Sequence, residues 1–84
     1  MILYVSPHSG PTEAAFVASR RVGGAVARNR ARRIMRAAWR ELRAQVAADF
    51  EVVFVARPDI QGAKTQDLEP EMRDLLRRMK ALRT

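Results

Sequence analysis

From Ala25 to about Ala47 the chain contains neither glycine nor proline and consists mostly of alanine, arginine, leucine and similar residues. That run predicts one long helix. With side chains advancing about 100° per residue, Ala31, Ile34, Met35, Ala38 and Leu42 gather on one face. Arg28, Arg32, Arg36, Arg40 and Arg43 line the adjacent face, with Asn29 and Arg33 beside them. An apolar face made largely of alanine suits close packing on a sheet. A helix lying on a membrane surface would need Trp, Phe and Leu there in quantity.

The rest of the chain supplies the other elements. Met1 to Ser6 is a short strand candidate closed by Pro7, Ser9, Gly10 and Pro11, and Ala14 to Arg20 is a second. Together they read as an antiparallel hairpin with a longer loop. Gly23 and Gly24 form the connector into the long helix, where glycine permits backbone angles that a Cβ forbids. Phe50 to Ala56 is the clearest strand, too continuously apolar for an exposed edge, and so is expected at the sheet centre. Asp67 to Leu82 predicts a second helix, with Leu68, Met72, Leu75, Leu76, Met79 and Leu82 at helical spacing and Pro70 in its first turn. There is no internal repeat. The reading is a single α+β domain over residues 1–84.

Charge is strongly segregated along these elements. The 84 residues hold 16 Lys plus Arg against 9 Asp plus Glu, a net charge of +7. Residues 20–43 hold nine arginines and Glu41, so they carry +8, more than the whole. The apolar share of 48% argues against a disordered basic tail, although a domain this small has a thin core. Cysteine is absent, which excludes disulfides and thiolate zinc sites and agrees with a reducing, cytoplasmic location. No signal peptide or membrane span is expected.

Like charges four apart destabilise a helix by a few tenths of a kcal/mol per pair, and residues 28, 32, 36 and 40 repeat that spacing. One reading is a solvated charged face; the other is a face built to be neutralised by nucleic acid. The stripe from Arg28 to Arg40 is about 18 Å long, comparable to about five nucleotides of one strand. Arginine's planar fork suits bidentate phosphate contacts.

Other candidate residues carry weaker signals. His8, the one histidine, lies in a Pro/Gly-rich loop with no acid closer than Glu13, and reads as a solvated loop residue. Trp39 falls at the border of the apolar and basic faces, as a core anchor or a stacking platform. Gly23-Gly24 lacks the Gly-Lys-Ser/Thr ending of a phosphate loop. The acids are dispersed on the non-basic segments, unlike the clustered carboxylates of a protein-only, magnesium-dependent nuclease.

The segment from Ser19-Arg20-Arg21-Val22-Gly23 through Arg28-Asn29-Arg30-Ala31-Arg32-Arg33 to Arg36 resembles the signature of the bacterial ribonuclease P protein family. Three pieces occur in order: a strand ending in Ser and two bases before Val-Gly, an R-N-R element opening a basic helix, and Glu51 to Pro58, similar to a strand ending in Ala-Arg-Pro. The resemblance implies a small two-layer α/β sandwich of ribosomal-protein-like fold, with a mixed sheet and a left-handed strand-helix-strand crossover. General rules would favour a right-handed one. It also implies a subunit of a ribonucleoprotein endonuclease that removes the 5′ leader of precursor tRNA, whose RNA and magnesium ions perform the hydrolysis. The expected partners are that catalytic RNA and precursor tRNA, with no membrane and no protein partner, and no protein residue is expected to be catalytic or to ligate metal.

By resemblance, Arg28, Asn29, Arg30, Arg32, Arg33 and Arg36 correspond to the R-N-R helix, and Ser19, Arg20 and Arg21 to the strand end beside it, as RNA-binding residues; Arg40 extends the row. Tyr4, Phe16 and Arg57 correspond to a cleft for the single-stranded leader, where an aromatic face stacks on a base. Phe16 as core and Arg57 as a partner of Asp59 or Glu51 are the competing readings. Members of the family usually begin with a further helix and short strand before the segment matching Met1 to Val5, so this chain reads as a shortened member with one cleft wall missing. A non-enzymatic ribosomal-type RNA-binding or DNA-binding module is the alternative that the basic helix alone allows.

Overall fold

The computed structural model describes residues 1–82. Three strands, β1 (Ile2–Pro7), β2 (Glu13–Val17) and β3 (Phe50–Val55), form one mixed sheet, and two helices, α1 (Ala25–Leu42) and α2 (Thr65–Arg78), accompany it. Short 3-10 turns at Arg20–Val22, Arg43–Gln45 and Pro58–Ile60 join them. The strand order is β1-β3-β2, so the strongly apolar β3 is central, as its composition requires.

The expected hairpin does not form. β1 pairs antiparallel with β3, from Ile2 opposite Val55 to Pro7 opposite Phe50, and β2 pairs parallel with β3 from Glu13 opposite Glu51 to Val17 opposite Val55. β3 inserts between the first two strands because it is the one strand apolar enough to be covered on both edges. The β1–β2 loop is instead pinned to the entry of β3: Asp49 N–H donates to the Gly10 carbonyl at 3.0 Å, and the Asp49 carboxylate accepts from Gly10 N–H at 3.2 Å.

Alternation along the strands sorts the side chains onto two faces. Leu3, Phe16, Val52 and Phe54 point toward α1, whose Ala31, Ile34, Met35, Ala38, Trp39 and Leu42 bury against them. Trp39 is a core anchor, its ring tilted on Phe54 with centroids 5.7 Å apart. α2 packs on α1 and adds Leu68, Met72 and Leu76 to the same core. Ile2, Tyr4, Ala15, Val17, Val53 and Val55 face the other way, and among the described residues that side of the sheet carries no helix.

Both helices end earlier than their periodicity suggests. α1 stops at Leu42, and Val46 turns inward to bridge Leu82, with Ala47 N–H donating to the Ala81 carbonyl at 2.6 Å. α2 stops at Arg78 because Lys80 takes a left-handed conformation at φ 57°, which lets Ala81 N–H reach the Leu76 carbonyl at 2.9 Å. Leu82 therefore lies outside the helix. At its other end α2 begins at Thr65, where the Asp67 carboxylate accepts from Lys64 N–H at 2.8 Å. That earlier start puts Pro70 inside the helix, in its second turn. Among the described residues no helix is long and apolar enough to cross a membrane.

Candidate nucleic-acid interface

The basic surface is assembled at one end of the sheet. β2 and β3 run parallel, so Ser19, Arg20 and Arg21 beyond β2 and Arg57 beyond β3 emerge on the same side. The Ser19 hydroxyl accepts from Arg21 N–H at 3.3 Å, and the Ser19 carbonyl accepts from Val22 N–H at 3.0 Å. This tight turn drives Val22 into the core at 0% exposure and leaves both arginines in solvent. It packs against the turn Pro58–Ile60 that follows Arg57.

Gly23 then reverses the chain with a φ of 142°, and a Cβ there would stand 2.9 Å from the Ala27 Cβ. The glycine requirement rests on Gly23 alone, because Gly24 is extended at φ −73° with open space around it. α1 starts at once with no side-chain cap and no acid in its first turn. Its free N–H groups and the positive end of its dipole thus add to the arginine charge rather than being neutralised within the chain.

Along α1, Arg33, Arg36 and Arg40 are exposed, and Arg28, Arg30 and Arg32 are partly covered. Arg32 donates to the Asn29 side-chain oxygen, and Arg30 donates to the Ala63 carbonyl before α2. The Arg36 guanidinium lies 5.5 Å from the centre of the Phe16 ring, which places the row beside the β2 edge. The ion pairs among the described residues lie elsewhere, Met1 amine with Glu71, Arg73 with Glu69 and Arg78 with Asp74, and His8 Nε2 lies 3.7 Å from the Glu13 carboxylate. Nine arginines between residues 20 and 43 therefore have no carboxylate partner among the described residues. Arg57 is exposed as well, paired with neither Asp59 nor Glu51.

The two aromatic residues expected in one cleft are on opposite faces. Phe16 lies on the helix side, stacked on Phe54 at 6.0 Å and 9° and covered by Arg36, so its ring is packed into the fold. Tyr4 lies on the outer side, 59% exposed, between Ile2 at 39% and the rows of Val53 and Ala15. Of the two rings, Tyr4 is the exposed one. Among the described residues no three acids or histidines gather into a metal-binding group. Gln61, whose side-chain amide donates to the Val22 carbonyl from 39 positions away, carries no signal in the sequence.

Fold and surface together define a small α+β protein with an arginine-rich helix on one face of its sheet and, among the described residues, no helix on the other. The sequence profile described as Ribonuclease P matches residues 1–80. The chain belongs to the ribonuclease P protein family. It is 44% identical over 79 residues to the ribonuclease P protein component of Chloroflexus aurantiacus, covering 92% of this chain and 58% of that protein. It is 32% identical over 83 residues to that of Shouchella clausii, covering 96% and 68%. The fold is similar to that of the RNase P protein of Staphylococcus aureus, with a TM-score of 0.80 at 17% identity over 95% of this chain and 74% of that one. The RNase P protein of Thermotoga maritima gives 0.79 at 18% identity, covering 90% and 74%. The chain thus spans less than two thirds of the Chloroflexus relative it matches.

Proposed function

We propose that this chain is the protein subunit of a ribonuclease P ribonucleoprotein, binding the catalytic RNA through α1 and the Ser19–Arg21 turn and assisting removal of the 5′ leader from precursor tRNA. One observation carries this reading: the arginines of residues 20–43 have no carboxylate partner among the described residues, in a chain of this family. Repulsion along Arg28, Arg32, Arg36 and Arg40 costs the isolated helix about 1 kcal/mol. Phosphates set along the stripe remove that cost and release counterions.

In this reading the outer sheet face receives single-stranded leader, with Tyr4 as a stacking platform between apolar neighbours and Arg57 at the strand end for a phosphate. The RNA performs the hydrolysis. In the same reading magnesium is held by RNA phosphates, and among the described residues no three acids or histidines gather to compete for it. The protein contributes charge neutralisation and substrate positioning, in the cytoplasm and without a protein partner.

The test is reconstitution with a bacterial ribonuclease P RNA, following precursor-tRNA cleavage at low magnesium. The chain is expected to stimulate cleavage. Stimulation by a longer family member and none by this chain would reject the reading; binding to RNA or DNA regardless of its source, without stimulation, would favour a general binding module.

A further inference from the structure

The connector between β3 and α2 reaches back onto the start of the basic helix at two points. The Gln61 side-chain amide donates to the Val22 carbonyl, and the Arg30 guanidinium donates to the Ala63 carbonyl. An open cleft of about 360 Å³, lined by Ala27, Arg30, Ala31, Ile60, Gln61 and Gly62, lies between connector and helix. The two hydrogen bonds hold that spacing together with Ile60 and Ala63, which pack into the core behind the cleft. Gly23 fits under the same contact, since a Cβ there would come within 3.0 Å of Gln61 Nε2.

This bracing falls where α1 most needs it. The helix starts uncapped, without an acid in its first turn, and with arginines repelling one another from Arg28 onward. Such a start frays unless tertiary contacts hold it. Arg30 also lies off the row of Arg28, Arg32, Arg36 and Arg40. Arg33 and Arg40 are exposed with no ion-pair partner among the described residues, whereas the Arg30 guanidinium donates to a carbonyl 33 residues away.

We propose that Arg30 and Gln61 are positioning residues: they fix the direction in which the first turns of α1 leave the sheet, and so the line along which the other arginines meet RNA. The inference rests on the RNA-binding reading above, and it removes Arg30 from the set of phosphate contacts. Gln61 enters as a residue that touches no RNA.

The experiment compares Gln61→Ala, Arg30→Ala, Arg30→Lys and Arg33→Ala in the full chain. In the free protein, Gln61→Ala should speed amide hydrogen exchange at Arg28, whose N–H makes the first bond of α1 to the Gly24 carbonyl, by about tenfold, with Leu76 in the core unchanged. Unchanged exchange at Arg28 overturns the proposal. In titrations with a bacterial ribonuclease P RNA, Arg30→Ala should weaken binding about tenfold at every salt concentration without changing the slope of log affinity against log salt. Arg30→Lys, which can still donate to Ala63, should restore it. Arg33→Ala should flatten the slope by about 0.7–0.9. Equal flattening by Arg30→Ala places Arg30 on a phosphate and overturns the proposal. If the parent chain shows no salt dependence, the RNA-binding reading fails, and the exchange result in the free protein still decides the bracing.

Discussion

Truncating Phe16 and Tyr4 to alanine, one at a time, should give opposite results, because the two rings lie on opposite faces of the sheet. Removing a fully buried Phe costs about 3–5 kcal/mol. Phe16 is only partly buried, which scales this to about 2 kcal/mol, and losing Phe54 and the Arg36 guanidinium adds about 1 kcal/mol more. For a domain this small, about 3 kcal/mol lowers the melting midpoint by about 12–24 °C. Tyr4 is 59% exposed, so its truncation should move the midpoint by less than about 5 °C. A lost stacking contact weakens single-strand binding by about 1–3 kcal/mol, or about 5- to 150-fold. Circular dichroism melts and fluorescence titration with a labelled single-stranded RNA read both quantities. A Phe16→Ala chain that melts like the parent but loses RNA, or a Tyr4→Ala chain that binds RNA normally, would refute the assignment of faces.

Four further substitutions test how the fold is held. Gly23→Ala should cost about 2–4 kcal/mol from its positive φ and the Ala27 contact, whereas Gly24→Ala should cost no more than about 1 kcal/mol; urea melts compare them. Lys80→Gly should stabilise the chain by about 0.5–1 kcal/mol by relieving the left-handed backbone that ends α2, seen as a higher urea midpoint at unchanged slope. Asp67→Ala should lose about 0.5–1 kcal/mol, since it removes the acceptor for Lys64 N–H and the acid at the helix start.

What could be read from the sequence was what depends on local pattern. The faces of α1, the central place of β3 and the concentration of charge between residues 20 and 43 follow from periodicity and residue type. The sheet order does not, because proximity along the chain favours pairing β1 with β2, and only the apolar demand of β3 on both edges displaces that pairing. Alternation puts Tyr4 and Phe16 each on some face of its strand, but which faces coincide depends on register, and β3 fixes that register from 35 or more residues away. The helix ends depart from the periodicity for a related reason: Val46, Ala47, Ala81 and Leu82 find backbone partners in one another, a long-range choice that helix propensity does not encode. The tie from Arg30 to Ala63 uses a main-chain carbonyl, which has no residue type to recognise.

Contact between the arginines of α1 and an external phosphate backbone is read from the salt dependence of affinity for a bacterial ribonuclease P RNA. With about five phosphate contacts, log affinity against log salt should slope by about −3.5 to −4.5, and Arg32→Ala should flatten it by nearly one unit. A slope near zero, or one indifferent to that substitution, would contradict the claim.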